Sequence, residues 1–247
     1  MMEMGGAATR MPAWKPPRRR RLWLMRHGAV DYFAKPGADF SSPELSSLGI
    51  VQALAAGALL VQQGIDLLVT SGLPRTRHTA SLVLPGCQAV EDSRWREIEP
   101  GKLAALPQGA TPDPAALQAI LHTLGPGLTD DSRFLQGESF GAARTRVGEA
   151  VTDLLADPGW QQCLVVAHSV SLRLALLHLL NAPLDSVCRL EQDAGCLNLV
   201  EIDPQGLPLV RLVNFTPPSP SKELHRHSSL EELLLQFLTP QSSTGRS

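Results

Sequence analysis

The chain has little cysteine: of 247 residues only Cys87, Cys163, Cys188 and Cys196, with no CxxC pair among them. Disulfide scaffolds and zinc ribbons need such pairs at short intervals, so neither is expected, and a reducing compartment is the simpler setting. Metal-ligand spacing among Cys and His is missing as well. Excess charge of one sign is missing too. The 22 Lys and Arg against 24 Asp and Glu leave a net −2, which gives no overall attraction to nucleic acid or an anionic membrane. Long apolar runs are also wanting. Only Leu22-Trp23-Leu24-Met25 follows the basic cluster Arg18 to Arg21, too short for the apolar region of an export signal. The most apolar segment, Leu172 to Leu180, contains Arg173, which argues against a membrane span. There are no internal repeats. What remains is 43% apolar and 19% charged, an ordinary globular composition, long enough for one large α/β domain or two small ones.

The chain is organised around Leu22-Trp23-Leu24-Met25-Arg26-His27-Gly28. Four bulky apolar residues in succession read as a strand buried on both faces. Such a strand ends in Arg-His only where those side chains reach a cleft, and in open α/β sheets ligands bind at the carboxyl edge. Gly28 lets the backbone turn there. Cys163-Leu164-Val165-Val166-Ala167-His168-Ser169 repeats the pattern, with a helix opening after His168. Between them, Leu67 to Thr70 is a third strand, followed by Ser71-Gly72-Leu73-Pro74-Arg75, with Pro74 in a first helical turn. Three buried strands thus each deliver a basic group to one edge of one sheet.

Around this frame, Ala29 to Pro43 reads as a loop at the cleft mouth. Ser46 or Ser47 caps a helix whose period runs through Leu48, Val51, Ala55, Ala58, Leu59 and Gln62 and which Gly64 ends. Arg77 and His78 read as surface residues or as residues that support the site from behind. Pro107 to Pro114 and a helix over residues 115–124 suggest an insertion or lid. Gly137-Glu138-Ser139 precedes a helix with Phe140, Ala143, Val147, Val151, Leu154 and Leu155 on one side. Residues 196–202 and 209–215 fit an antiparallel pair. Beyond a Pro/Ser linker, Ser229-x-x-Glu232 is a capping box for Leu230, Leu233, Leu234, Phe237 and Leu238. Ten residues are too few for an isolated helix, so this one docks on its own domain or on a partner. The division expected is a basic, disordered tail over 1–21, a catalytic domain over 22–215, and a linker with a short amphipathic helix over 216–247.

Arg26-His27-Gly28, Ser71-x-Leu73-x-Arg75-x-x-x-Thr79-Ala80, Gly137-Glu138-Ser139 and the strand-borne His168 together resemble the histidine phosphatase superfamily, in the family's order and over about residues 22–215. The resemblance implies a phosphoglycerate mutase-like fold, a three-layer α/β/α sandwich with a mainly parallel central sheet. It also implies roles. Neutral imidazole is a good nucleophile toward phosphorus, so His27 is the candidate for a phosphohistidine intermediate. Arg26 and Arg75 match the phosphate-gripping arginines. His168, protonated by the dianion's field, donates to an oxygen in the transition state, and Gly28 and Ser169 complete the substrate contacts. Glu97, four positions before Gly101, fits the general acid, with a pKa that an incoming dianion raises; Glu99 is the alternative.

The rim departs from the common members of the family. Phe33 stands where many have Asn, Ala29 follows Arg-His-Gly in place of Glu or Gln, Ser169 follows the second histidine in place of Gly, and Lys102-Leu103-Ala104-Ala105 replaces a frequent Trp-Glu-Gly. Tyr32, Phe33, Trp23 and Trp95 leave room for an apolar or aromatic-faced substrate. The expected activity is hydrolysis of a small-molecule phosphate monoester, a metal-independent phosphatase without cofactor, because two arginines and a charged histidine already supply the positive charge. A phosphoglycerate mutase-type phosphotransferase and a phospho-ligand-binding scaffold are the alternatives. The expected setting is a cytoplasmic monomer or homodimer that binds neither nucleic acid nor membrane.

Overall fold

The computed structural model describes residues 18–32, 43–101, 122–223 and 226–238. Phe33, Lys102 to Ala105, the proline-rich stretch 107–114 and most of the helix expected over 115–124 lie outside them, as do residues 1–17.

Six strands form one sheet: β1 (Arg20–Arg26), β2 (Leu67–Thr70), β3 (Val90–Glu91), β4 (Gln162–Ala167), β5 (Leu197–Ile202) and β6 (Pro208–Phe215). Their spatial order is β3-β2-β4-β1-β5-β6. The β2–β3, β2–β4 and β1–β4 pairs are parallel, whereas β1–β5 and β5–β6 are antiparallel. The middle residues of the central strands are apolar because both faces are covered. Alternation then sorts them. Leu22 and Leu24 of β1, with Cys163, Val165 and Ala167 of β4, face α3 (Phe140–Ala156) and α4 (Ser169–Leu180). Trp23, Met25, Leu164 and Val166 face the opposite way, toward α1 (Ser47–Leu60) and α2 (Pro74–Val83). The result is a mixed α/β fold with a mostly parallel sheet flanked by helices, as the motifs implied.

Register places the site. Arg26 lies opposite Ala167, and Thr70 opposite Val166. The residues that follow, His27, Ser71 and His168, therefore emerge side by side at the carboxyl edge of β1, β2 and β4.

Three local expectations are corrected. The sheet begins at Arg20, inside the segment expected to be a tail. The Arg20 guanidinium stacks 4.4 Å from the Trp160 ring and donates to the carbonyls of Leu155 and Asp157, while Arg21 pairs with Glu201. Helix α1, capped by Ser46, buries Gly49, Gln52, Ala53, Ala56, Gly57 and Leu60 and leaves Leu48, Val51 and Leu59 exposed, the reverse of the expected stripe. Small residues win because the backbones come close: a Cβ on Gly49 would sit 2.1 Å from the Ala29 carbonyl, and one on Gly57 2.9 Å from that of Val83. The last helix, α5 (Ser229–Leu238), is boxed one residue earlier than its pattern suggested. Ser228 exchanges hydrogen bonds with Glu231, which frees Ser229 to turn inward. Leu230 and Leu234 pack on Leu124 and Leu135, so α5 docks on its own domain.

No helix among the described residues is long and apolar enough to cross a membrane. All four cysteines are free thiols, and burial pushes Cys196 up to about 12.

Candidate active site

His27 and His168 meet at the sheet edge with ring centroids 5.1 Å apart, and both are essentially without solvent exposure. Their hydrogen bonds fix their tautomers. His27 Nδ1 lies 2.7 Å from the Gly28 carbonyl, which can only accept, so the proton is on Nδ1 and Nε2 carries the lone pair. Arg75 Nε donates to that nitrogen at 3.3 Å. At His168 a hydroxyl relay decides. Thr76 Oγ1 donates to the Leu73 carbonyl at 2.8 Å, so the Thr76 oxygen accepts from Ser71 Oγ at 3.0 Å. Ser71 has then spent its proton and accepts from His168 Nε2 at 2.8 Å. Neutral His168 is therefore the Nε2–H tautomer. Its Nδ1 is buried and has no hydrogen-bond partner among the described residues, and the same holds for Arg26 Nε.

Burial, then Arg75, push the pKa of both histidines well below the ordinary imidazole value, with Arg26 adding to the effect. Both rings are neutral at pH 7. For His27 this matches the expectation of a neutral imidazole. For His168 the expectation concerned the ring beside a bound dianion; here burial, with the two arginines, keeps the ring uncharged.

The cations are anchored at their backs. Arg26 Nη1 donates to the Gln192 carbonyl at 2.7 Å. Arg75 is buried in the first turn of α2, where Pro74 costs no hydrogen bond. One turn later Thr79 Oγ1 donates to the Arg75 carbonyl and accepts from Gly28 N at 3.1 Å. Gly28 was expected to contact substrate. Its N–H is taken by Thr79 and its carbonyl by His27, so it holds the nucleophile's loop. A Cβ there would meet the Gly49 carbonyl at 2.4 Å.

Glu97 sits against the start of α4, the helix that His168 opens. Its carboxylate accepts from the N–H groups of Val170 and Ser171, donors a helix N-terminus leaves unpaired, and from that of its neighbour Ile98. Its loop is clamped by Arg146, which donates to the carbonyls of Arg94, Arg96 and Glu97 and holds Glu138 through both carboxylate oxygens at 2.7 and 2.8 Å. Glu138 in turn accepts from Glu99 N. Glu99 is exposed on the same cavity wall as Glu97.

Arg26, Arg75, Glu97, Glu99 and Ser169 help to line a cavity of about 410 Å³, and the buried His27 and His168 adjoin these residues in the chain or through hydrogen bonds. Tyr32 lines it as well, whereas Trp23 and Trp95 lie in the two hydrophobic cores. Among the described residues no group of three or more His, Cys, Asp or Glu side chains is arranged to hold a metal ion. Arg77 is paired with Glu91 at the surface and His78 is exposed. Sequence reasoning missed the relay of Ser71 and Thr76, the Thr79 brace and the Arg146–Glu138 clamp. Ser71, Thr79 and Glu138 stood inside quoted motifs, so a signal existed; Arg146 had none.

A mainly parallel sheet, covered on both faces and carrying two buried imidazoles and two guanidinium groups at one carboxyl edge, defines an anion-handling α/β protein. The chain belongs to the histidine phosphatase superfamily (branch 1), whose family model matches residues 22–215. It is 30% identical over 167 residues to the probable phosphoglycerate mutase GpmB of Serratia proteamaculans, covering 66% of this chain and 76% of that protein. Among solved structures it resembles a mycobacterial glucosyl-3-phosphoglycerate phosphatase complexed with VO3, with TM-score 0.67 and 27% identity over 79% of this chain and 98% of that one. A putative alpha-ribazole-5'-P phosphatase from Escherichia coli gives TM-score 0.64 and 27% identity over 79% and 96% of the two chains.

Proposed function

We propose that the protein is a metal-independent phosphatase that hydrolyses a small-molecule phosphate monoester through a phosphohistidine on His27. The observation that carries this reading is the His27 ring itself. It is neutral, oriented by its bond to the Gly28 carbonyl, and carries at Nε2 a lone pair that accepts from Arg75 Nε until an incoming phosphate draws that donor away.

In the first step Nε2 attacks phosphorus, the P–O ester bond breaks, and the leaving oxygen takes a proton from Glu97. In the second, water attacks the phosphohistidine, its proton passes to Glu97, and the P–N bond breaks to return His27 and inorganic phosphate. Arg26, Arg75 and His168 hold the three non-bridging oxygens as charge redistributes. The bare Nδ1 of His168 would repel an oxyanion, so it takes up a proton as the anion arrives. The dianion raises a pKa that burial and the arginines had lowered. Gly28, Thr79, Ser71 and the Arg146–Glu138 clamp act through the groups they position. Two guanidinium groups and an imidazolium supply the charge that a metal provides in other phosphoryl-transfer sites.

The test is incubation with an aryl phosphate in EDTA, followed by isolation of an acid-labile, base-stable phosphoprotein. Turnover and a phosphoprotein are expected, and both disappear in His27→Ala; turnover that survives the substitution rejects the reading. The mutase reading draws support from the name of the Serratia relative. A phosphoprotein that resists water until a phosphoglycerate acceptor is added favours it.

A further inference from the structure

The family match ends at residue 215, yet part of the cavity wall comes from beyond it. Helix α5 lays Leu230 and Leu233 along the cavity, with Val30, Ile98, Phe134 and Val170 contributing further apolar wall. The helix is fixed in place. Ser229 Oγ donates to Glu191 at 2.8 Å, Arg173 reaches both residues from α4, and Gln236 reaches the Val30 carbonyl at 3.5 Å. Among the described residues, the charged side chains that line the cavity besides Arg26, Arg75 and Glu97 are the basic Arg96 and the acidic Glu99 and Glu232.

Resting on the phosphatase reading, we propose that α5 is the specificity element of this site. It selects monoesters in which one phosphate is joined to an apolar alcohol, an alkyl chain or a ring, over esters of polyols and of phosphoglycerate. Hydroxyl groups pressed against Leu230, Leu233, Ile98 and Phe134 would lose water without gaining partners. A second anion would share the cavity with Glu99 and Glu232. A methylene entering the same space gains roughly fourfold in affinity.

Chain length separates this proposal from the reading it rests on. Ethyl, butyl and hexyl phosphate have leaving alcohols of equal acidity and glycerol 1-phosphate has the more acidic one, so a lower kcat/KM for glycerol 1-phosphate reports on the pocket rather than on the chemistry. The matching alkylphosphonates cannot be hydrolysed and read the pocket by calorimetry alone. With the full chain, phosphonate affinity is expected to rise roughly fourfold per methylene, and glycerol 1-phosphate to trail butyl phosphate by about tenfold or more. Leu233→Gln is expected to shrink the hexyl-to-ethyl affinity ratio about fivefold. Phosphonate affinities flat with chain length, or glycerol 1-phosphate or 3-phosphoglycerate as the preferred ester, overturn the proposal while leaving a phosphatase. Rising phosphonate affinities without turnover of any ester keep the apolar pocket and reject the phosphatase.

Discussion

At the end of the cavity where phosphate is proposed to bind, the side chains are polar and buried, His27 at 1% exposure and Arg75 at 3%; the His27 ring is tied to the Gly28 carbonyl, the Arg75 guanidinium to His27, and the Arg75 backbone to Thr79. At the other end the wall is Val30, Ile98, Phe134, Leu230 and Leu233, drawn from loops and a helix far apart in the chain. The first end spends stability on preorganised dipoles and neutral imidazoles inside a protein interior. The second is an ordinary apolar surface that adds binding in proportion to the area covered. Damage at the two ends should therefore register differently, as lost rate at one and lost affinity at the other.

The largest expected break lies at the first end. Arg75→Ala removes a buried donor and should lower kcat by ~10²–10³, about 2.7–4 kcal/mol, in steady-state assays with an aryl phosphate. Arg75→Lys should recover little, because an ammonium lacks the planar fork. A loss under tenfold would show that the guanidinium is structural.

Acid tests the same end next. Both histidines have folded-state pKa values well below their unfolded value of 6.5. Above pH 6.5 neither state carries their protons, and the native state keeps its full stability. As the pH falls from 6.5 toward the folded pKa values, the unfolded chain binds two protons that the native chain refuses. Stability then drops by about 1.4 kcal/mol per pH unit for each ring, about 2.7 for both. Urea melts between pH 7 and 5 should show that slope, and His168→Gln should halve it. Phosphate binding is expected to take up a proton, read as calorimetric heats that vary with the buffer's ionisation enthalpy. Equal heats across buffers would leave His168 neutral in the complex.

The two ends were also unequally legible in the sequence. Arg26, His27, Arg75 and His168 were readable because a charge at the tip of a buried strand has one destination, the carboxyl edge of the sheet, and three strands repeated the pattern. Glu97 was readable only through its register to Gly101. What it accepts from, the opening of α4, depends on a contact 73 residues away in the chain. Helix α1 misled because its large apolar residues follow a helical period while its glycines and alanines make the close contact. A hydrophobicity pattern favours size, and a tight helix crossing favours its absence. Helix α5 announced an apolar face without saying what it covers, since its partners Leu124 and Leu135 lie about a hundred residues earlier.

Between the two ends stands the clamp on the Glu97 loop. The Arg146 and Glu138 side chains are 22% and 16% exposed and joined by two short charged hydrogen bonds. Arg146→Ala leaves Glu138 unpaired and three carbonyls without their donor, an expected loss of about 2 kcal/mol in a urea melt. It should also lower kcat more than it raises KM, because the acid and not the binding wall is displaced. An unchanged kcat would show that the clamp does not position the acid.

The smallest effect belongs to the far end. Ser229→Ala removes the hydroxyl shared by Glu191 and Arg173, worth about 1 kcal/mol. That energy anchors one short helix rather than the sheet, so its loss should stay local. Amide exchange in α5 should accelerate about fivefold, while that of β1 and β4 keeps its wild-type rate. If the central strands accelerate equally, α5 is part of the cooperative core, and the far end of the cavity is as rigid as the phosphate end it faces.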